Sequence, residues 1–430
     1  MKRIKIFGLV VALAGAAAAA LPTVENVRME QDAASRQVTI SYDLVGAPAI
    51  ITFDVETNGV PIGTVHLDYA VGDVHRTVQP GAGRRIYWQA DKGWPGHVLA
   101  AAGASAKVTA WPLETPPPYM VLHLVNPNDV RHYATPWELP GGGVTNDLYK
   151  TDALVMRRIP AKGVEWTMGS PTNAPGVVAD NYDGRSRETP HQVMLTNDFY
   201  IGVYELTQKQ WLRVKGKYPT YATADKGAYL ETDRDVHPAD CVSWTDIRGM
   251  NAALGWPQND EVDPAQFMGM LRAFSGMRFD LPTEAEWEYA CKAGTMSALY
   301  SSHELFANGN QCALLEPVAV FIANARRRGG DVYASEPVGT KEPNAWGLYD
   351  MLGNVYEWCL DRAGGSDNTS LAVGADAVVS PRGKTTGDYR VKRGGCMAGG
   401  PIYTRSTYRG GNEWRDSTWS IGFRVALRIP

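Results

Sequence analysis

The chain has 430 residues, 44% of them apolar and 20% charged, with a formal net charge of −4. That length gives room for roughly two or three domains with a sizeable core, and the composition is that of a folded protein rather than a disordered one. The acidic balance argues against a nucleic-acid partner, which needs a basic face.

Lys2, Arg3 and Lys5 precede the apolar run IFGLVVALAGAAAAA, and Ala18, Ala19 and Ala20 offer a small-residue cleavage site. Residues 1–20 therefore read as a secretory signal cut after Ala20, which places the product outside the cytoplasm as a secreted, periplasmic or cell-surface protein. As a transmembrane anchor the run is short and ends in alanines, so no membrane span is expected after cleavage.

From Val24 to Trp111 the pattern is that of strands. VTISYDL alternates Val38, Ile40, Tyr42 and Leu44 with polar residues, ITFDVET puts Ile51, Phe53 and Val55 on one face, and Asn58-Gly59 supplies a hairpin turn. RRIYWQA and AKVTAW add further strands, which predicts a small Ig-like β-sandwich over residues 21–112. No polar cluster stands out in it, so it reads as a spacer or adhesion module. LETPPP, from Leu113 to Pro118, is a stiff linker opening a Pro/Gly-rich connector over 113–153 that includes Gly141-Gly142-Gly143.

Beyond the connector two helices are legible from their caps: Thr207 with Gln210, and Thr283 with Glu286, each form a capping-box pair. Trp287, Ala290 and Cys291 then share one helical face, most simply a core face. Long Gly-rich segments between them need something to pin them. Five cysteines, at 241, 291, 312, 359 and 396, leave at least one thiol unpaired within the chain, and neither they nor the eight scattered histidines match a zinc pattern.

Five segments in order, RRIPAKGVEWTMGS, ETPHQVMLTNDFYIGVYELTQKQW, RFDLPTEAEWEYACKAGT, EPVGTKEPNAWGLYDMLGNVYEWCLD and RVKRGG…IGFRVAL, resemble the formylglycine-generating, sulfatase-modifying-factor family. The resemblance covers about Leu154 to Leu427 and implies an α+β, loop-rich C-type-lectin-like domain over residues 154–430, behind the all-β sandwich. It also implies structural calcium. One site corresponds to the carboxylates of Asp350 and Glu357 with the carbonyls of Gly353 and Val355. A second corresponds to Asn324, the carbonyl of Ala325, Asp331 and the carbonyl of Tyr333, where the run Arg326 to Arg328 adds repulsive charge. Calcium takes six to eight oxygen ligands, and alternate positions along a tight turn can supply four of them. The bland alternative is that Asp350 and Glu357 only cap turns.

The family's oxidases hold copper with two cysteines shortly after the RGG motif, as soft thiolates suit Cu(I). RGGCMAGG puts Gly399 and Thr404 at those positions, and no cysteine follows Cys396, so copper and oxidase activity are not expected. In their place stands GGPIYTRSTYRGGNEWRDSTW. Tyr403, Arg405, Tyr408, Arg409, Trp414, Arg415 and Trp419 are residue types of binding hot spots, set among small polar residues. Ligand-binding proteins of the diversity-generating retroelement type use the same fold with a variable segment in this place. The expectation is a calcium-stabilised, non-catalytic binding protein whose ligand, a protein or glycan, contacts Tyr403, Arg405, Tyr408, Trp414, Arg415 and Trp419. The alternatives are an atypical enzyme using the same pocket and a purely structural surface component. Of the seven, Arg405, Tyr408 and Arg409 are expected to be framework, and about half are expected to be exposed.

Overall fold

The computed structural model describes residues 20–430 except 64–65, 68, 98, 100–102, 171–187, 220–232, 328–332 and 364–376. Residues 1–19, and with them nearly all of the expected signal, lie outside the described residues. Among the described residues no helix is long and apolar enough to cross a membrane.

The first eight strands form two sheets. Thr23–Gln31, Gln37–Val45, Gly81–Gln89 and Ala70–Gly72 make one in that order; Val60–Pro61, Ala49–Thr57 and Thr77–Val78 make the other, with Ala104–Pro112 also paired to Ala49–Thr57. Alternation does what it should along Gln37–Val45: Val38, Ile40, Tyr42 and Leu44 are buried and their neighbours are not. They meet Ile51, Phe53, Val55 and Trp88 in one apolar core, each such side chain contributing about 1.5–3 kcal/mol by leaving water. Asn58 and Gly59 both take positive φ, 52° and 75°, and set Thr57 opposite Val60 in the hairpin.

The stretch expected to be a connector is more than that. Pro116 and Pro117 are buried, and the Tyr200 hydroxyl donates to the Pro117 carbonyl at 2.6 Å. Strands Tyr119–His123 and Val130–Tyr133 then enter a five-stranded sheet, ordered Val130–Tyr133, Tyr119–His123, Ala153–Ile159, Phe199–Gly202, Ala426–Arg428. Composition hid them: short strands between Pro and Gly look like linker, and only their partners reveal them. The sandwich rests on this sheet through His75, whose carbonyl accepts from His132 N at 2.8 Å and whose Nδ1 lies 2.9 Å from the His132 carbonyl. Burial pushes both imidazoles down to about 4.

Helices Gln208–Lys215 and Glu284–Lys292 start at complete capping boxes on Thr207 and Thr283, as the sequence indicated. Trp287, Ala290 and Cys291 are fully buried. A four-stranded sheet, ordered Gly410–Glu413, Tyr389–Arg393, Tyr356–Ala363, Ile421–Gly422, carries the C-terminal segment. Its strand Tyr356–Ala363 is buried along its whole length. The molecule is thus an all-β sandwich followed by an α+β, loop-rich domain.

Candidate functional sites

The C-terminal segment is clamped at both ends. Tyr389–Arg393 and Ile421–Gly422 both pair with Tyr356–Ala363, the first antiparallel and the second parallel. Gly395 sits at φ +86, where a Cβ would come within 2.8 Å of Thr404 Oγ1 and 2.9 Å of the Tyr403 carbonyl, so the RGG turn and the segment close on each other only through glycine.

Within the segment the seven candidates divide. Tyr403 and Trp419 are 38% and 43% exposed, Arg415 is exposed and Tyr408 is half-buried. Arg405 and Trp414 have to be moved from the surface to the interior. Arg405 is buried with Glu188, each of Nη1 and Nη2 donating to one carboxylate oxygen at 2.6 Å. The partner lies 217 residues away, so an arginine that looks like a contact residue in its local run is a framework cation. Trp414 is 8% exposed and joins the main core cluster; its amide donates to the Asp388 carbonyl at 3.1 Å and its own carbonyl accepts from Thr245 N. Arg409 is buried too, 2.5 Å from Glu284. Three of the seven are therefore exposed, close to the half expected.

The positions of the oxidase thiols lie beside Cys396. Gly399 and Thr404 are buried there, and the Thr404 hydroxyl donates to the Gly400 carbonyl at 3.2 Å. Cys396 is 5% exposed and its thiol is pushed up by burial. Around it stand Tyr356, Tyr408 and Tyr403, the last two edge to face at 5.2 Å between ring centroids, with Lys392 Nζ 4.1 Å over the Tyr356 ring. One protonated thiol, a glycine and a committed hydroxyl do not fit copper, which needs two soft ligands. All five cysteines are free thiols in this structure.

The segment expected to hold the first calcium forms a buried turn. Gly353 takes φ +81, with a virtual Cβ only 2.1 Å from the Val320 carbonyl oxygen, so no other residue fits the bend. Asp350 is 2% exposed; its Oδ2 accepts from Gly339 N at 2.6 Å, and burial pushes its carboxyl up to about 6. Glu357 is fully buried, bidentate to Arg424 through Nε at 2.7 Å and Nη2 at 2.6 Å, and it also accepts from Trp287 Nε1 at 2.7 Å.

A third carboxylate, one that the sequence reading did not assign, completes the group. Glu205 is 0% exposed, accepting from Val355 N at 3.0 Å and Asn354 Nδ2 at 2.7 Å. Burial first, then Asp350 and Glu357, raise its carboxyl well above the usual range. Three buried acids thus face one buried cation, an imbalance that a bound divalent ion would relieve. No three His, Cys, Asp or Glu side chains among the described residues are placed to hold a metal by themselves. The donors expected for calcium there are two carboxylates with turn carbonyls, and Arg424 already engages both oxygens of Glu357.

The signal for Glu205 and Arg424 was present: each is a charge inside an apolar run, FYIGVYELT and IGFRVAL, where an unpaired charge is untenable. In the segment expected to hold a second calcium, Asn324 spends its side chain on the turn, Oδ1 accepting from Phe321 N and Nδ2 donating to the Ala319 carbonyl, both at 2.9 Å. Ala325 and Tyr333 are partly buried nearby, and Asp331 lies outside the described residues.

A loop-rich α+β domain behind a β-sandwich, with a buried acidic turn and no thiol pair, is what the fold and the two sites define. The family described as sulfatase-modifying factor enzyme 1-like domain matches residues 158–429. The chain belongs to that family. It is 30% identical over 220 residues to the formylglycine-generating enzyme of Mus musculus, covering 50% of each chain. To that of Thermomonospora curvata it is 32% identical over 225 residues, 50% of this chain and 63% of the other. The chain thus spans about half the length of the first of these relatives. Among solved structures, variable protein 1 of Treponema denticola is 25% identical, with a TM-score of 0.45 and coverage of 64% of this chain and 95% of that one.

Proposed function

We propose that this chain is an exported, calcium-stabilised, non-catalytic member of its family that binds a protein or glycan ligand through the exposed part of its C-terminal segment. One observation carries the reading: Gly399 and Thr404 stand where the family's oxidases have their cysteines, with Cys396 alone, buried and protonated, beside them. The segment keeps its frame without the chemistry. Tyr403, Arg415 and Trp419 are its ligand contacts, with Tyr408 behind them; Arg405 and Trp414 hold the frame. A segment fixed at both ends loses less entropy on binding than a free loop, which favours recognition there.

Calcium sits in the turn of Asp350, Gly353, Val355 and Glu357, and it supplies positive charge and order to loops with little regular structure of their own. Two experiments test the reading. Incubated with a sulfatase-motif peptide, with or without copper, the purified protein should leave the peptide's cysteine unchanged; conversion to the aldehyde would establish the enzyme alternative. Screened on protein and glycan panels, the full chain should find a ligand whose binding is lost in Trp419→Ala. A ligand indifferent to Tyr403, Arg415 and Trp419 would place recognition elsewhere.

A further inference from the structure

The frame of the second domain leaves Lys392 unused. Arg393, Arg405, Arg409 and Arg424 each meet a buried glutamate, and Lys292 Nζ lies 2.8 Å from Glu288. Lys392, next to Arg393 on the strand Tyr389–Arg393, is half-buried. It makes no hydrogen bond and no ion pair among the described residues. Side chains alternate along a strand, so Arg393 reaches Glu288 on one face while Lys392 stands on the other.

The side chain is nonetheless held in place. Lys392 pairs with Trp358 and Gly410 on the two neighbouring strands. Its stem runs across Gly410, where a Cβ would come within 3.1 Å of both Lys392 Cγ and Cε. Nζ lies 4.1 Å from the centroid of the Tyr356 ring, inside the range of a cation–π contact. The ring fixes the ammonium but gives its N–H groups no acceptor. Burial pushes the ammonium below the usual lysine range, and the carboxylate that bears on it, Asp416, accepts from Asn412 Nδ2 at 2.8 Å. Beyond Tyr356 come the rings of Tyr408, 6.5 Å on, and Tyr403, a further 5.2 Å. Tyr403 is exposed, so this line of rings leads from Lys392 to the proposed ligand surface.

We infer that the ligand is a protein and that Lys392 receives one of its acidic side chains, an Asp or Glu carboxylate set on the ammonium beside Tyr356. The inference rests on the reading of the C-terminal segment as a binding surface. A charge drawn partly out of water without an acceptor is costly, and an incoming carboxylate supplies the acceptors and the opposite charge together. An ammonium already fixed by a ring and a glycine loses little freedom when the partner arrives. The surroundings favour a protein over a glycan: Tyr403, Tyr408, Arg415 and Trp419 are residue types that anchor protein interfaces. Arg415, exposed on the same segment, adds a second positive charge.

The test presents the full chain to a random-peptide library displayed on phage and, separately, to polygalacturonate as an acidic glycan. Selected peptides should share an Asp or Glu, and the tightest of them, made synthetically, should bind Lys392→Met at least about thirtyfold more weakly than wild type. Lys392→Met keeps the stem across Gly410 and breaks no ion pair, so it should melt no lower than wild type; Lys392→Gln replaces it should it fail to fold. Lys392→Arg should recover part of the affinity. Converting the peptide's acid to its amide should weaken binding to wild type by a similar factor and to Lys392→Met hardly at all. No enriched peptide, peptides without a shared acid, equal binding by Lys392→Met, or polygalacturonate bound in place of peptides would each overturn the inference. Binding kept in Lys392→Met but lost in Trp419→Ala would overturn it and leave the binding surface standing. Binding indifferent to Lys392, Tyr403, Arg415 and Trp419 alike would remove both.

Discussion

The sandwich and the domain behind it are held by different forces. In the sandwich the core is Val38, Ile40, Phe53, Val55, Ile86 and Trp88, and the ion pair Arg76–Asp73, at 3.6 Å, is partly open to solvent. In the second domain Arg393–Glu288, Arg405–Glu188, Arg409–Glu284 and Arg424–Glu357 are all buried pairs. The difference follows from regularity. Strands order their own backbones through ladders, so non-directional apolar burial suffices to bring two sheets together. Loops have no ladder, and their positions are fixed by directional bonds between residues far apart in sequence. Such bonds make each partner indispensable, because a buried charge left alone is far costlier than one never introduced.

The sharpest way to break that contrast is to remove one cation. Arg424→Ala leaves Glu357 buried and unpaired beside Glu205 and Asp350, and should cost the second domain about 3–5 kcal/mol, read as a shifted urea transition that leaves the sandwich's own transition in place. A loss below about 1 kcal/mol, the value of an exposed pair, would mean the buried pairs do not hold the loops.

Acid probes the joint between the two regions. His75 and His132 have folded values of about 4 against an ordinary 6.5. The unfolded chain therefore takes up protons first as pH falls. Stability is fully present above pH 6.5, declines between 6.5 and 4, and stays low below that, by about 3 kcal/mol for each imidazole. Urea midpoints measured from pH 7.5 to 4 should show the decline, and His75→Phe should flatten it. A profile unchanged by His75→Phe would assign the acid sensitivity to the carboxylates instead.

Calcium removal comes next. At a hundred times its dissociation constant calcium adds about 2.7 kcal/mol, so chelation should lower the melting temperature of the second domain and not that of the sandwich. Asp350→Ala should abolish the dependence, and an unchanged melting curve in chelator would remove calcium from the account.

The smallest expected effect on stability sharpens the division within the C-terminal segment. Trp419→Ala should weaken ligand binding by about 2 kcal/mol while changing stability by no more than about 0.5 kcal/mol. Trp414→Ala should do the reverse in kind, costing about 3–5 kcal/mol of stability. Equal stability losses in the two variants would show that both rings are framework.

Much of this was legible in the chain itself where the cause is local. Alternation placed Val38 to Leu44 on a buried face, Asn58-Gly59 placed the hairpin, and Thr207 and Thr283 placed two helix starts, because each depends on residues no more than a few positions apart. The seven aromatic and arginine residues of the C-terminal segment were equally visible as a group, and their division only in part: Arg405 and Arg409 were expected as framework and are buried, whereas Trp414, expected as a contact, is buried too. Nothing in TRSTYRGGNEWRD supplies the counter-ion that fixes Arg405 inside and leaves Arg415 outside. The separation lies in Glu188, which reaches one and not the other. The strands Tyr119–His123 and Val130–Tyr133 were missed for the same reason, since a strand of four or five residues is defined by its neighbour in the sheet.

The sequence by itself therefore determined the two-part organisation, the class of each part and the loss of the thiol pair, all of which follow from residue identity and short-range pattern. Only the tertiary structure decided which charges face inward and with what partners, and so which residues of the C-terminal segment are left for a ligand. Glu205 and Arg424 joined the buried turn of Asp350 and Glu357 by the same decision. Counter-ions separated by up to 217 residues meet only when the chain has closed, and burial, which sets the worth of each charge, exists only then.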